Sequence, residues 1–483
     1  MDTDAFRRHG HAVIDWIADY LDGIDERPVL SRAAPGEVRG QLPVAPPAQA
    51  EPFSSILDDL EGIVLPGITH WNHPSFHGYF AITGAGPGIL GEALTAALNV
   101  NGMLWRTSPS ATELELLVVD WLRQLLGMSP GWSGLLTDGA STSTTLALAA
   151  ARERTDLDVR QRGLAGRSDL PPLRVYTSEH AHSSIEKAAI MLGLGRDGVR
   201  TIDVDEDFRL RPAALAAAIE EDVRFGYRPM AIVATVGTTA TTSVDPTDTI
   251  ADVRDAAVRD LGHSIWLHVD GAYGAALAIC EEHRHLLDGI ERADSMVTNP
   301  HKWLFTPIDC SALLLRDPAT LSAAFSLVPD YLATDDGEVT DLMDYGVQLG
   351  RRFRALKLWM TLRYFGADGL RRRLAEHVQQ ASRVAAWVDA HPELELVLRP
   401  EMSTVVFRLR AGADETTDAE AVDDRSRRLL RWLDADGRVL LSGTVLEDRH
   451  VLRLALGNLR TTDAHLERAF TAIDEALAAV LPR

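Results

Sequence analysis

The chain has 483 residues, enough for two or three domains, and its 46% hydrophobic and 24% charged residues are those of an ordinary globular protein with a large core. With 48 basic against 70 acidic residues, its net charge of −22 repels phosphate backbones, and no basic cluster interrupts it, which excludes a nucleic-acid partner. Two cysteines, Cys280 and Cys310, are too few for a disulfide framework or a thiolate metal centre.

The opening MDTDAFRRHG lacks a basic segment followed by an apolar run, and no signal peptide is expected. Charges break every apolar stretch well short of the ~20 residues that a membrane helix needs. The expected setting is a reducing cytoplasm, away from membranes.

Phe6, Val13, Ile14, Ile17 and Leu21 recur at helical spacing, which predicts an amphipathic helix over residues 4–23. The Pro-, Ala- and Gly-rich stretch that follows, to about residue 52, reads as an extended linker. The apolar face of so detached a helix needs cover, from a partner subunit or from the rest of the chain.

Between residues 86 and 320 short apolar runs alternate with helical patterns. "RVYTS" (174–178), "AIVATV" (231–236), "SIWLHVD" (264–270) and "SMVTN" (295–299) read as buried strands, and residues 212–226 as one of the helices between them. Such alternation predicts an α/β fold with a mostly parallel sheet covered on both faces, and ligands at the carboxyl ends of its strands. Residues 325–345 show neither period, carry six acids and read as a long loop of functional kind. Beyond residue 350 a helical stretch, then "LELVLRP", "STVVFRL" and "VLRLAL", predict a smaller α/β domain. The expected division is 1–85, a helical and extended segment; 86–350, the large domain; and 351–483, the small one.

Three local patterns are decoys. "GAGPGILG" (84–91) has glycines spaced like a dinucleotide fingerprint, but Pro87 and the absence of a clear preceding strand argue against that turn. "HAH" (180–182) and "EEHRH" (281–285) lack a third ligand at a recognisable spacing, so no metal site is expected.

The chemistry gathers around "VTNPHKWLF" (297–305), where Lys302 sits in an apolar run. A lysine can bury its stem and keep its ammonium in water. Held in a desolvated pocket, it sheds its proton and becomes an amine nucleophile. Upstream, "WLHVDGAYG" ends an apolar run on Asp270, a costly place for a carboxylate without a cation or donor. The two alone could be a structural ion pair. "DGASTSTTLALAAAR" (138–152) is a small-residue turn opening a helix, where backbone N–H groups and Ser141 suit a phosphate, although an ordinary N-cap has the same look. His182 follows "RVYTS" and could lie flat against a ligand. Lysine, carboxylate, phosphate turn and flat partner are the set that pyridoxal phosphate requires: its aldehyde condenses with an amine as a Schiff base, and a carboxylate keeps its ring nitrogen protonated.

The chain resembles the pyridoxal-phosphate-dependent group II decarboxylases, specifically the aromatic-L-amino-acid decarboxylases, from about Trp71 to Tyr364. The resemblance rests on "SMVTNPHKW", with its Ser295-to-Lys302 spacing, and on "WRTSPSATELE" (105–115), "AHSSIE" (181–186), "VATVGTT" (233–239), "WLHVDGAYG" (266–274) and "LGRRFRALK" (349–357), in that order. It implies fold type I, the aspartate-aminotransferase-like fold, and a homodimer with sites at the subunit interface. Matched residue by residue, Lys302 would hold the cofactor as the Schiff base, Asp270 would pair with the pyridine nitrogen and His182 would stack on the ring. Ala140 and Ser141 match the phosphate turn, Thr239 and Ala272 line the cofactor, and His301 neighbours the lysine.

Tyr331, in "VPDYL", matches a loop tyrosine that protonates the substrate carbon after CO2 leaves. Relatives with phenylalanine there tend towards aldehydes, so Tyr331 implies an amine product. Phe80, Asn101, Met103 and Ile308 are the substrate-pocket candidates, in segments that depart from the animal enzymes. Gly350 matches a position where plant relatives with glycine favour indoles and those with serine favour phenols. The substrate implied is therefore an aromatic L-amino acid, tryptophan slightly ahead of tyrosine, phenylalanine or DOPA. The alternatives are an aldehyde synthase, a decarboxylase of a non-aromatic amino acid such as glutamate, and a non-catalytic scaffold, against which intact Lys302, Asp270, His182 and Tyr331 argue.

Overall fold

A computed structural model of the chain describes residues 1–327, 339–410 and 419–480. It divides into two compact units, the larger formed by Ile82–Ala386 with Leu398–Val406. That unit is built on a seven-stranded sheet of β1 (Ser133–Thr137), β2 (Leu173–Ser178), β3 (Val199–Ile202), β4 (Arg228–Thr235), β5 (Trp266–Asp270), β6 (Ser295–Thr298) and β7 (Ser311–Leu315). Their order is β1-β7-β6-β5-β4-β2-β3. The pairings from β6 through β5, β4 and β2 to β3 are parallel, while β7 runs against both its neighbours, β6 and β1. Reversal of β7 alone leaves β1 pointing the same way as the other five. The carboxyl ends of those six strands therefore share one edge of the sheet.

Strands buried on both faces read as near-continuous apolar runs, as in Met230–Ala234 of β4, and the helices between them supply the cover. The helix Ala140–Glu153 lies on the sheet through Leu146, Ala147, Leu148, Ala150 and Ala151, all buried with Val175, Val233 and Trp266. Its alanines let helix and sheet approach closely. The glycines of "GAGPGILG" serve a similar end: this stretch opens the helix Gly86–Leu98, and a Cβ on Gly88 would meet Pro307 Cδ at 2.3 Å. A Cβ on Gly91 would meet Lys357 Cα at 2.7 Å. Close packing accounts for them without a nucleotide.

The other unit comprises Met1–Ala81, Trp387–Val397 and Phe407–Arg483. Asp2 caps the helix Thr3–Asp22 by accepting from the Ala5 N–H at 2.7 Å. That helix has no buried residue, and Phe6 and Ile14 on it are exposed. The predicted extended linker contains a short helix, Glu37–Gln41, whose carboxylate Glu37 accepts from the Ala34 N–H at 2.8 Å, a capping bond that composition alone does not reveal. Arg468 grips Asp25 through both terminal nitrogens, at 2.6 and 3.1 Å, and holds its carboxyl below the usual range. A second sheet, ordered β10-β11-β9-β8, is formed by β8 (Leu394–Leu398), β9 (Thr404–Leu409), β10 (Ser442–Leu446) and β11 (Arg449–Ala455). No helix among the described residues is long and apolar enough to cross a membrane.

Candidate active site

Five of the shared strand ends carry the residues singled out in the sequence. After β1 the chain turns at Gly139 into the helix Ala140–Glu153, and no side chain caps that helix start. Thr137 Oγ1 and Ser143 Oγ lie 2.8 Å apart, and Ser143 Oγ reaches Ser311 Oγ at 3.1 Å, so these hydroxyls brace the turn from within. Ala140 and Ser141 are left accessible on its outer side. An uncapped helix start of this kind offers N–H groups and a positive dipole end to an anion.

β5 ends on Asp270, 5% exposed, whose Oδ1 accepts from the Ala272 N–H at 3.1 Å. Two strands over, His182 follows β2 with an exposed ring, its Nδ1 accepting from the Ser184 N–H at 3.1 Å. Surrounding protein pushes the His182 pKa down, the Asp270 carboxylate opposing and Lys302 reinforcing the shift. Lys302 follows β6 in the short helix Pro300–Trp303. Burial pushes its pKa below the ordinary lysine range, with Asp270 acting the other way. Desolvation outweighs the carboxylate, so this is an amine eased towards its neutral, nucleophilic form, not a snorkelling surface lysine. Asp270 acts on both Lys302 and His182, and Lys302 on His182, which places the three in one cluster.

The frame around the lysine is closely packed. Trp303, fully buried, stacks on Tyr273 with ring centroids 4.7 Å apart and planes at 3°, and its indole N–H donates to His377 Nδ1 at 3.0 Å. His301 is buried, accepts from the Cys310 N–H at 2.9 Å, and is pushed down to about 4 by burial and then by Lys302. Asn299, which the sequence reading passed over, is 3% exposed and its Oδ1 has no partner among the described residues. Its backbone N–H donates to the Ala272 carbonyl at 3.1 Å, tying the lysine turn to the Asp270 turn. The signal for it was its place in the motif three residues before the lysine. Ala272 is buried in that turn, and Thr239 stands exposed on the turn after β4. A desolvated lysine, a buried carboxylate, an accessible imidazole, an uncapped helix start and an orphaned amide oxygen fit pyridoxal phosphate, an aldehyde, a basic ring nitrogen and a phosphate in one ligand.

Of the substrate candidates, Asn101, Met103 and Gly350 come together. Asn101 Oδ1 accepts from the Arg351 N–H at 2.9 Å, its Nδ2 lies 3.4 Å from Met103 Sδ, and a Cβ on Gly350 would sit 3.6 Å from Nδ2. Ile308 is 61% exposed, and Phe80 belongs to the other unit, with the Arg453 guanidinium 5.4 Å from its ring centroid. Tyr331 lies outside the described residues.

Arg351 anchors the Asn101–Gly350 corner. It is buried, with Nη2 2.5 Å from Glu115 Oε1 and 2.9 Å from the Leu136 carbonyl, and Nη1 3.1 Å from the Leu342 carbonyl. Glu115 Oε1 also accepts from the Leu136 N–H at 2.8 Å. Removing one member of a buried ion pair strands the other, so Glu115→Ala should lower stability by about 3–5 kcal/mol. Denaturant unfolding of the cofactor-free protein checks this, and a loss below about 1 kcal/mol, the range of an exposed pair, would contradict it.

Comparison with known proteins bears on the same residues. The pyridoxal-dependent decarboxylase conserved domain matches residues 35–410. The chain is similar to a phenylacetaldehyde synthase of a Rosa hybrid cultivar, 36% identical over 100% of this chain and 95% of that protein. It is similar to a tyrosine decarboxylase of Papaver somniferum, 35% identical over 100% of this chain and 96% of that one. Among solved structures it resembles Oryza sativa TDC with PLP and tryptamine, at a TM-score of 0.94 and 34% identity, covering 100% of this chain and 99% of that one.

Proposed function

The chain belongs to the pyridoxal-dependent decarboxylase family, with the α/β fold of type I and pyridoxal phosphate as cofactor, and on that premise we propose that it converts an aromatic L-amino acid into its arylalkylamine and CO2. The observation that carries the reading is the desolvated Lys302 in one electrostatic cluster with Asp270 and His182, at the strand ends beside an uncapped helix start. Support for the aromatic substrate comes from relatives named for tyrosine and phenylacetaldehyde and from the tryptamine bound in the rice protein.

When bound, the cofactor supplies an electron sink for the charge left as the carboxylate departs. The rest falls to the chain. Lys302 would hold the aldehyde carbon, and Asp270 would hold the proton on the ring nitrogen, a preorganised charge that costs nothing to arrange at the moment of reaction. His182 would lie against the ring, Ala140 and Ser141 would take the phosphate, and Thr239, Ala272 and His301 would line the rest of the site. Tyr331 returns a proton to the substrate carbon from its phenolic O–H. We assign a homodimer with sites shared between subunits, in keeping with a helix Thr3–Asp22 that has no fully buried residue and exposes Phe6 and Ile14, and a cytoplasmic setting.

The test is stoichiometry. Purified protein with pyridoxal phosphate should release amine and CO2 one for one from tryptophan, tyrosine, phenylalanine or DOPA, and little from glutamate. Release of amine from glutamate alone would overturn the aromatic assignment. A second reading, aldehyde formation, has the likeness to phenylacetaldehyde synthase behind it, and would show as ammonia and peroxide in place of amine.

Gly350 sets the preference within the aromatic class. A Cβ there has ordinary contact distance, 3.6 Å, from the Asn101 amide, so a serine fits and brings a hydroxyl beside a polar group. Gly350→Ser should move the ratio of kcat/KM for tryptophan over tyrosine towards tyrosine by about tenfold or more, the scale on which one small group in a pocket discriminates. An unchanged ratio would remove Gly350 from the pocket.

A further inference from the structure

The hydroxyls behind the uncapped helix start form a chain whose direction can be read. β7 runs against its neighbours, so its first residue, Ser311, lies at the edge where the other strands end, paired with Thr137, the last residue of β1. Ser143, in the first turn of the helix Ala140–Glu153, joins the two: its Oγ lies 3.1 Å from Ser311 Oγ and 2.8 Å from Thr137 Oγ1. Thr137 Oγ1 in turn donates to the Gly139 carbonyl at 3.2 Å. Thr137 is 5% exposed and both serines are wholly buried, so a hydroxyl hydrogen left unpaired here is costly. With Thr137 donating to Gly139, Ser143 donates to Thr137 and Ser311 to Ser143, and every hydrogen has an acceptor. Any other sense leaves the hydrogen of Ser143 or of Ser311 without one, since neither oxygen makes another hydrogen bond among the described residues. The chain therefore ends on the Gly139 carbonyl, which also accepts from the Ser143 N–H at 3.0 Å. Two donors hold that oxygen towards the body of the helix. The Gly139–Ala140 peptide is trans, so its N–H points the other way, out of the helix start. Gly139 has no side chain of its own to fix that orientation.

We propose that Thr137 is a positioning residue for the cofactor phosphate: the chain Ser311–Ser143–Thr137 pins the Gly139 carbonyl and so keeps the Ala140 N–H aimed at the phosphate of pyridoxal phosphate. The inference rests on the turn at Ala140 and Ser141 taking that phosphate. A donor fixed before its ligand arrives costs no ordering on binding, and hydrogen bonds that run in one sense polarise one another.

Titrating the cofactor-free full chain with pyridoxal phosphate, and with pyridoxal, which lacks the phosphate, separates this role from packing. Thr137→Val keeps the shape and removes the donor. It should weaken pyridoxal phosphate about five- to tenfold, the scale of one neutral hydrogen bond, and leave pyridoxal within about twofold. The phosphorus-31 resonance of the bound phosphate should move with it. Thr137→Ser keeps the donor and should hold the parent's affinities and resonance. Ser311→Ala, two bonds up the chain, leaves Thr137 on the carbonyl and should cost less than Thr137→Val. Thr137→Cys, whose S–H is a weak donor, should weaken pyridoxal phosphate selectively and carries the comparison if the valine variant does not fold. Equal weakening of both ligands by Thr137→Val, or of neither, overturns the role of Thr137, and a Ser311→Ala loss as large as that of Thr137→Val overturns the sense of the chain. A parent protein that binds pyridoxal as tightly as pyridoxal phosphate overturns instead the placing of the phosphate at this turn.

Discussion

Lys302→Ala should remove both the colour and the chemistry. The parent protein with pyridoxal phosphate is expected to absorb near the visible–ultraviolet boundary, and the variant to lose that band, because an alanine offers no amine to bond the aldehyde carbon. Decarboxylation should fall by on the order of 10³-fold or more, as when a covalent nucleophile is deleted from a preorganised site. Lys302→Arg should do no better: the guanidinium stays protonated and cannot make the bond. Borohydride reduction of the parent should fix the cofactor's mass on the peptide holding Lys302. Far-ultraviolet circular dichroism should be unchanged in the variant, since Trp303, stacked on Tyr273 and bonded to His377, holds this segment without the lysine. Cofactor mass on a different lysine, or a persisting band in the alanine variant, would overturn the assignment.

The sheet was legible where its strands are long apolar runs closed by a polar residue. β2, β4, β5 and β6 fall within a few residues of the runs read as strands, and the helix Pro212–Arg224 within the stretch read as helical. β1, β3, β7 and β10 were not read. β3 and β10 are short and mix exposed with buried residues, so neither shows a clean period. β1 and β7 pair with each other across 178 positions of chain, a long-range contact that no local window contains. The reversed β7 is likewise a matter of topology, not of its residues.

Within the site, Lys302, Asp270, His182 and the helix start at Ala140 declared themselves because each is an expensive thing to leave without a ligand: a charge in an apolar run, a carboxylate at a strand end, an imidazole in a turn, an uncapped set of N–H groups. The supporting layer was silent. Glu115 and Arg351 lie 236 positions apart, and each is an unremarked charge in a helix or loop until the fold buries the pair. Ser295 is similar, since a serine in a strand gives no sign of the Trp266 indole and His268 imidazole that its hydroxyl joins.

Tyr331→Phe should change what the enzyme makes more than how fast it works. The proposed role of the phenolic O–H is to protonate the substrate carbon once CO2 has left, and a well-placed proton donor contributes about 10²–10⁴-fold to such a step. Phenylalanine keeps the ring but has no proton to give, so amine formation should fall by about 10²-fold or more. The electron-rich carbon then meets dioxygen. Amino acid, one dioxygen and one water give the aldehyde, CO2, ammonia and hydrogen peroxide, the two electrons leaving the carbon being those that reduce dioxygen to peroxide. Oxygen uptake measured beside CO2 release should therefore rise from near zero to one per turnover, with ammonia and peroxide matching it. CO2 release should drop much less than amine formation, since Lys302 and Asp270, to which the proposed mechanism gives bond breaking, are untouched. Persistence of amine as the product at the parental rate would show that another group supplies the proton. Equal loss of CO2 and amine, with no oxygen uptake, would show instead that Tyr331 serves substrate binding or bond breaking and not the product branch.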